Sequence, residues 1–166
     1  LMTPMAVSGI SQRGMAKLAE ILRPFHIQPV AGGSGGGAKD VLADADGLVP
    51  GAAFGMSLAS GDIDMTGVGT LTYRRGNRIV GFGHPMLSIG AVDAPMSLAY
   101  VDDIISSYQS STKLASPIKV LGRIFQDRPW SIAGQIGSTA KTIPVTIAVD
   151  DKAFGRSRTF KVNVIN

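Results

Sequence analysis

The residue in this chain best placed to do acid–base chemistry is His84, in the stretch Arg78-Ile79-Val80-Gly81-Phe82-Gly83-His84-Pro85. Ile79, Val80 and Phe82 form a short apolar run of strand type, bounded by Gly76-Asn77 and by Gly83. His84 therefore falls at a strand exit, where a side chain can be offered to a cleft. Gly83 permits a turn there, and Pro85 confines His84 to an extended backbone. An imidazole titrates near neutrality, so a histidine held this way is a candidate general base. On spacing alone the plainer reading, a polar residue that closes a strand, is favoured over the catalytic one.

An orienting carboxylate has several candidates: Asp62, Asp64, Asp93, Asp102, Asp103 and Asp127. Asp93, in Gly90-Ala91-Val92-Asp93, follows His84 closely enough to fold back towards it. Asp127 next to Arg128 reads as an ion-paired turn. Metal binding has thin support, because His26 and His84 lie far apart among scattered aspartates with no ligand spacing. No metal or cofactor is expected. His26 follows a helix and suits a surface or capping role. The run from Gly32 to Gly37 leads into Ala38-Lys39-Asp40, without the Gly-Lys-Ser/Thr ending of a phosphate loop, so a flexible surface loop is expected.

These residues sit in a chain of 166 residues, 45% hydrophobic, which suits one globular domain with a substantial core. No apolar run approaches the length of a membrane span. The start at Leu1 has neither a charged n-region nor a cleavage-site pattern; the sequence reads as a mature or excised piece whose beginning carries no targeting information. Cysteine is absent, which excludes disulfides and thiolate metal sites. A net charge of +4 with 6% aromatic residues falls short of the dense basic and aromatic pattern of a nucleic-acid surface, so no nucleic-acid partner is expected. Arg74, Arg75 and Arg78 gather at one turn and suit a solvated hairpin tip.

The 21 glycines and nine prolines are spread along the chain, as in many short strands joined by tight turns. Residues 1–30 read as a strand–helix–strand unit. Pro4 to Ser8 is its first strand, Ser8 or Ser11 caps a helix ending before Pro24, and Ile27 to Val30 is its second strand. Residues 31–49 read as a Gly-rich and then acidic surface excursion, closed by Pro50-Gly51. In residues 50–166 strands are expected at Ala52–Ala59, Ile63–Tyr73 with an irregularity at Gly67 or Gly69, Ile79–Phe82, Met96–Val101, Val120–Gln126, Ile143–Val149 and Thr159–Val164. Ile104–Tyr108 either extends its strand or begins a helix, and Asp150–Gly155 is a turn. The expected fold is mainly β (α+β), a barrel-like domain of short, mostly antiparallel strands. Trp130 is expected to be buried beside Asp127-Arg128, and the dispersed methionines to fill the core.

Five segments in this order resemble the peptidase domain of the stage IV sporulation protein B (SpoIVB) family and its relatives in bacteria that do not sporulate. They are Thr3-Pro4-Met5-Ala6-Val7-Ser8-Gly9; Pro50-Gly51 with Gly61-Asp62; Gly69-Thr70-Leu71-Thr72-Tyr73; Gly81-Phe82-Gly83-His84-Pro85; and Gln126-Asp127-Arg128 with Ile132-Ala133-Gly134. The resemblance implies an extracytoplasmic serine peptidase domain with a His, Asp, Ser triad, and His84 matches the family's catalytic histidine. The family's nucleophile lies in a Gly-Met-Ser-Gly-Ser-Pro-like box after the histidine, and no such box follows His84. Gly55-Met56-Ser57 echoes it but precedes the histidine inside an expected strand, so Ser57 is read as structural. Ser116-Pro117 has only the last two letters of the box. The nucleophile thus lies on a segment outside this sequence, or the protein lacks it.

A histidine base without a serine in reach forms no acyl-enzyme. Two functions follow as expectations. One is a serine-peptidase-like domain carrying the base His84, with Asp93 as a weak orienting candidate, and acting on peptide or protein. The other is an inactive module of the same fold that binds peptide or protein partners.

Overall fold

A computed structural model describes residues 3–32, 45–106 and 112–166. The apolar stretch after Thr3 forms β1 (Thr3–Ser8), with Met5, Ala6 and Val7 buried. Ser11 caps helix α1 (Gln12–Leu22), its Oγ accepting the Gly14 amide at 3.2 Å. Pro24 follows within a single 3-10 turn, Arg23–Phe25, and His26 ends it in the left-handed conformation. β2 (Ile27–Ala31) then returns parallel to β1, completing the expected strand–helix–strand unit. The run from Gly33 to Gly37 and the acidic stretch to residue 44 lie outside the described residues.

The expected surface excursion ends earlier than the sequence suggests. Residues Ala45–Gly47 form a 3-10 turn, and Leu48 is fully buried in the core. Arg74 is the reason this turn can dock: its guanidinium donates to the carbonyls of Ala45 (2.6 Å) and Leu48 (3.0 Å). Arg74 is therefore a clamp rather than part of a solvated tip.

Eight further strands follow: β3 (Ala53–Gly61), β4 (Asp64–Arg75), β5 (Arg78–Gly81), β6 (Gly90–Ile105), β7 (Thr112–Arg128), β8 (Ser131–Ile136), β9 (Thr142–Asp151) and β10 (Arg156–Ile165). The fold is mostly β, as expected. All ten strands join one sheet, ordered β2-β1-β4-β5-β8-β7-β6-β3-β10-β9. An added β3–β4 pairing closes β3, β4, β5, β8, β7 and β6 into a barrel-like ring. β8 is not among the expected strands, although Ser131–Ile136 alternates partly buried and buried residues along its length. It supplies the ladder between β5 and β7 without which the ring stays open. β6 and β7 are also longer than expected, and Asp150–Gly155 holds its turn through Asp151 Oδ1, which accepts the amides of Ala153 and Phe154.

Phe54, Met56, Leu71, Ile79, Met96, Ile124 and Ile132 fill the core at no more than 1% exposure. Met5, Met56, Met86 and Met96 are all buried there, consistent with a core-filling role. Gly67 and Gly69 mark no irregularity. In the pairings of β4 the register shifts fall instead at Leu58 of β3 and Thr72 of β4. The two glycines instead make room for side chains: a Cβ on Gly69 would lie 2.1 Å from the Phe82 ring, and one on Gly67 would lie 2.4 Å from Met86 Sδ. Trp130 corrects another expectation. It projects from the tight β7–β8 turn at 83% exposure, because that turn pairs Arg128 directly with Ser131 and none of the described residues folds over it.

Gly69→Ala should lower stability by about 1–3 kcal/mol, the range for overpacking a filled core. Urea denaturation will measure it, and Phe82→Leu in the same chain should recover part of the loss by vacating the space the new methyl needs.

Candidate functional site

The site is the loop that leaves β5 after Gly81. Phe82, expected at the strand end, instead turns left-handed (φ 72°), and Gly83 does the same (φ 72°). That reversal carries the Phe82 ring inward to meet Phe54 edge-on, with centroids 5.0 Å apart. Four residues on, Met86 packs against Gly67. His84 lies between these two anchors, half-buried, with its ring 5.4 Å from that of Phe82.

A third anchor holds the loop from below. Asp127 is fully buried, and its carboxylate accepts the backbone amides of Met86 (2.8 Å), Leu87 (2.7 Å) and Ser88 (2.8 Å). Arg128 turns away and donates to Gln126 Oε1 at 2.7 Å. The expected Asp127–Arg128 ion pair is thus absent, because three amide donors already satisfy a carboxylate that water cannot reach. Ser88, the last of the three, is left-handed with φ 59°.

His84 Nδ1 lies 2.9 Å from the carbonyl oxygen of Pro85. A carbonyl only accepts, so Nδ1 carries the hydrogen, and in the neutral ring Nε2 keeps its lone pair. Asp93 does not serve as the orienting acid. Gly90 opens a strand instead of a turn, so Asp93 is carried along β6 to Arg123 (3.4 Å) and the Lys141 amide (3.0 Å). The other candidates are engaged elsewhere too. Asp62 accepts the Lys161 amide, Asp64 the Gly61 amide, Asp102 the Ser116 hydroxyl and Asp103 the Ile104 amide.

His84 opens onto a cleft of ≈470 Å³. Pro85, Leu87 and Ser88 share its wall, and Thr3, Pro24, Phe25 and His26 face them from the first unit of the chain. The structure thus brings the two histidines to one cleft, which their separation in sequence concealed. Among the described residues, only His26, Phe82 and Ser88 are non-glycine residues in the left-handed region. His26 and Ser88 line the cleft, and the Phe82 ring packs at a tilt against that of His84. Ser88 carried no sequence signal, since its conformation is imposed by Asp127. For Asp127 the signal was an acid ending the apolar run of β7.

Ser57 is structural, as expected. It is buried, shares a hydrogen bond with Thr66 Oγ1 at 2.9 Å, and lines a different cavity of ≈300 Å³. Among the described residues no three His, Cys, Asp or Glu side chains gather as a metal-ligand set. No helix among them is long and apolar enough to cross a membrane.

Asp127→Ala leaves three amides without their acceptor and should cost ~3 kcal/mol or more, at 1–3 kcal/mol for each buried unsatisfied group. Hydrogen exchange at Met86, Leu87 and Ser88 should accelerate with it, whereas Arg128→Ala should stay within about 0.5 kcal/mol of wild type. Compared with known proteins, the chain matches no family model, no curated protein and no solved structure.

Proposed function

We propose that this chain is the base-bearing part of a serine-peptidase-like domain of the SpoIVB kind, working outside the cytoplasm on a peptide or protein. In this proposal His84 Nε2 takes the proton from a serine hydroxyl as its oxygen attacks the scissile carbonyl. The Pro85 carbonyl holds the tautomer, a weaker orienting partner than a carboxylate because it is a dipole and not a charge. The serine comes from a segment outside this sequence, so the chain alone is inactive.

One observation carries the proposal: backbone strain is concentrated around His84. Residues in sparsely populated conformations persist only where the surroundings over-determine them, and they cluster at active sites and ligand clamps. Among the described residues two of the three strained ones, His26 and Ser88, line the cleft onto which His84 opens, the third, Phe82, packs against the His84 ring, and a buried carboxylate accepts three amides of the loop. A rigid, open imidazole with a free Nε2 is what general-base catalysis requires.

A second function keeps support from a specific fact: the hydrogen bond of His84 goes to backbone, and the candidate aspartates are bound elsewhere. A binding module that receives a peptide in this cleft would look the same. Active-site labelling of the full-length protein with a fluorophosphonate probe separates the two. A peptidase should label, and His84→Ala should slow labelling by about 100-fold or more, the scale of general-base assistance. Folded wild-type protein that takes no label would rule out the peptidase and leave the binding module.

A further inference from the structure

The sheet ends in β9, which pairs on one side with β10 and on the other with nothing among the described residues. Only Val162, Asn163 and Val164 of β10 pair with β3, so the outer part of the β9–β10 hairpin runs on as a two-stranded ribbon. Such ribbons are marginal in water unless another layer or strand joins them. β9 also exposes an apolar row: Ile143 at 47%, Ile147 at 43% and Val149 at 46%, with Val145 between them.

The amide and carbonyl of Lys161 both face Asp62, so the neighbouring Phe160 and Val162 face β9. Val162 pairs with Val145 and Phe160 with Ile147, so Pro144, Thr146 and Ala148 turn their backbone groups to the open edge. Pro144 has no donor to offer there, which weakens the edge without closing it.

The sequence from Lys141 to Asp151, Lys-Thr-Ile-Pro-Val-Thr-Ile-Ala-Val-Asp-Asp, is nearly self-complementary about Thr146. We propose that β9 pairs antiparallel with β9 of a second copy of this chain, about a two-fold axis at Thr146. In that register Lys141 faces Asp151, Ile143 faces Val149, Val145 faces Ile147, and Pro144 faces the small Ala148. Opposite charges close both ends, and β-branched residues pair along one face, the pairings that stabilise antiparallel ladders. A slip of two residues sets Asp151 against Ile143, and a slip of one turns the apolar row to the wrong face. The pairing uses the same edge of both copies, so it closes at a dimer and does not propagate.

Sedimentation of the full-length protein over a concentration series tests the pairing. Wild type should dimerise reversibly. Thr146→Pro removes the donors at the axis while sparing the bonds to β10, and should raise the dimer dissociation constant about tenfold or more. The chain has no cysteine, so introduced thiols report geometry directly. Thr146→Cys should cross-link on mild oxidation, since paired Cα atoms there are about 5.5 Å apart. Ala148→Cys should not, being displaced by about 14 Å along the strand. A monomer at every concentration would overturn the proposal and leave the edge to a different strand. So would a dimer indifferent to Thr146→Pro, or one that cross-links at position 148 as readily as at 146. If Thr146→Pro does not fold, Pro144→Thr replaces it: a tighter dimer supports the pairing, and an unchanged one refutes it.

Discussion

The carboxylate of Asp127 is the constraint on which the His84 loop depends. It is fully buried, and a charge taken out of water must find donors in the protein or lose its place there. Its donors are three consecutive loop amides, so satisfying the charge and shaping the loop are one event. The loop then has little freedom. Met86 is drawn over Gly67, Ser88 is forced left-handed, and the strand exit at Phe82 reverses so that its ring enters the core. His84 sits between these fixed points.

The ring of strands supplies the other half of the arrangement. Gly67 lies on β4 where β1 and β3 both pair with it, Gly69 lies where β3 pairs with it, and their missing side chains leave room for Met86 and Phe82. The loop is therefore part of the core packing. This explains how a histidine at a strand exit can be held in place without a carboxylate partner: its neighbours are held by packing and by a charge beneath them. It also keeps both functions physically open, since a fixed imidazole above a cleft can accept a proton or receive a ligand.

The first thirty residues complete the cleft from outside the ring. Pro24 stops the helix, His26 turns left-handed to start β2, and the amide of Thr3 bonds the His26 carbonyl at 2.7 Å. These local rules place a second histidine opposite His84. Among the described residues the far end of the sheet has no comparable cover, and there the chain presents an edge strand whose residues match a copy of itself.

By itself the sequence determined the local structure: a serine cap at Ser8 or Ser11, the stop at Pro24, the turns at Gly76 and Asp151, most strands of the sheet, and the place of His84 at a strand exit. Each depends on neighbours a few residues away, through capping, forbidden dihedrals or alternation of burial. It also marked Ser57 as structural, because Gly55-Met56-Ser57 precedes the histidine and lies inside an expected strand. Only the tertiary structure decided what Asp127, Asp93, Arg74, Trp130, Gly67 and Gly69 do. Asp127 and Arg74 serve backbone groups tens of residues away, and the two glycines answer to side chains on another strand's exit. The closure of the ring through β8 belongs to the same class, because a strand is completed by hydrogen bonds to partners that its own residues do not name. Long-range satisfaction of buried polar groups and mutual exclusion of atoms in a packed core are properties of the assembled chain, and no local pattern encodes them.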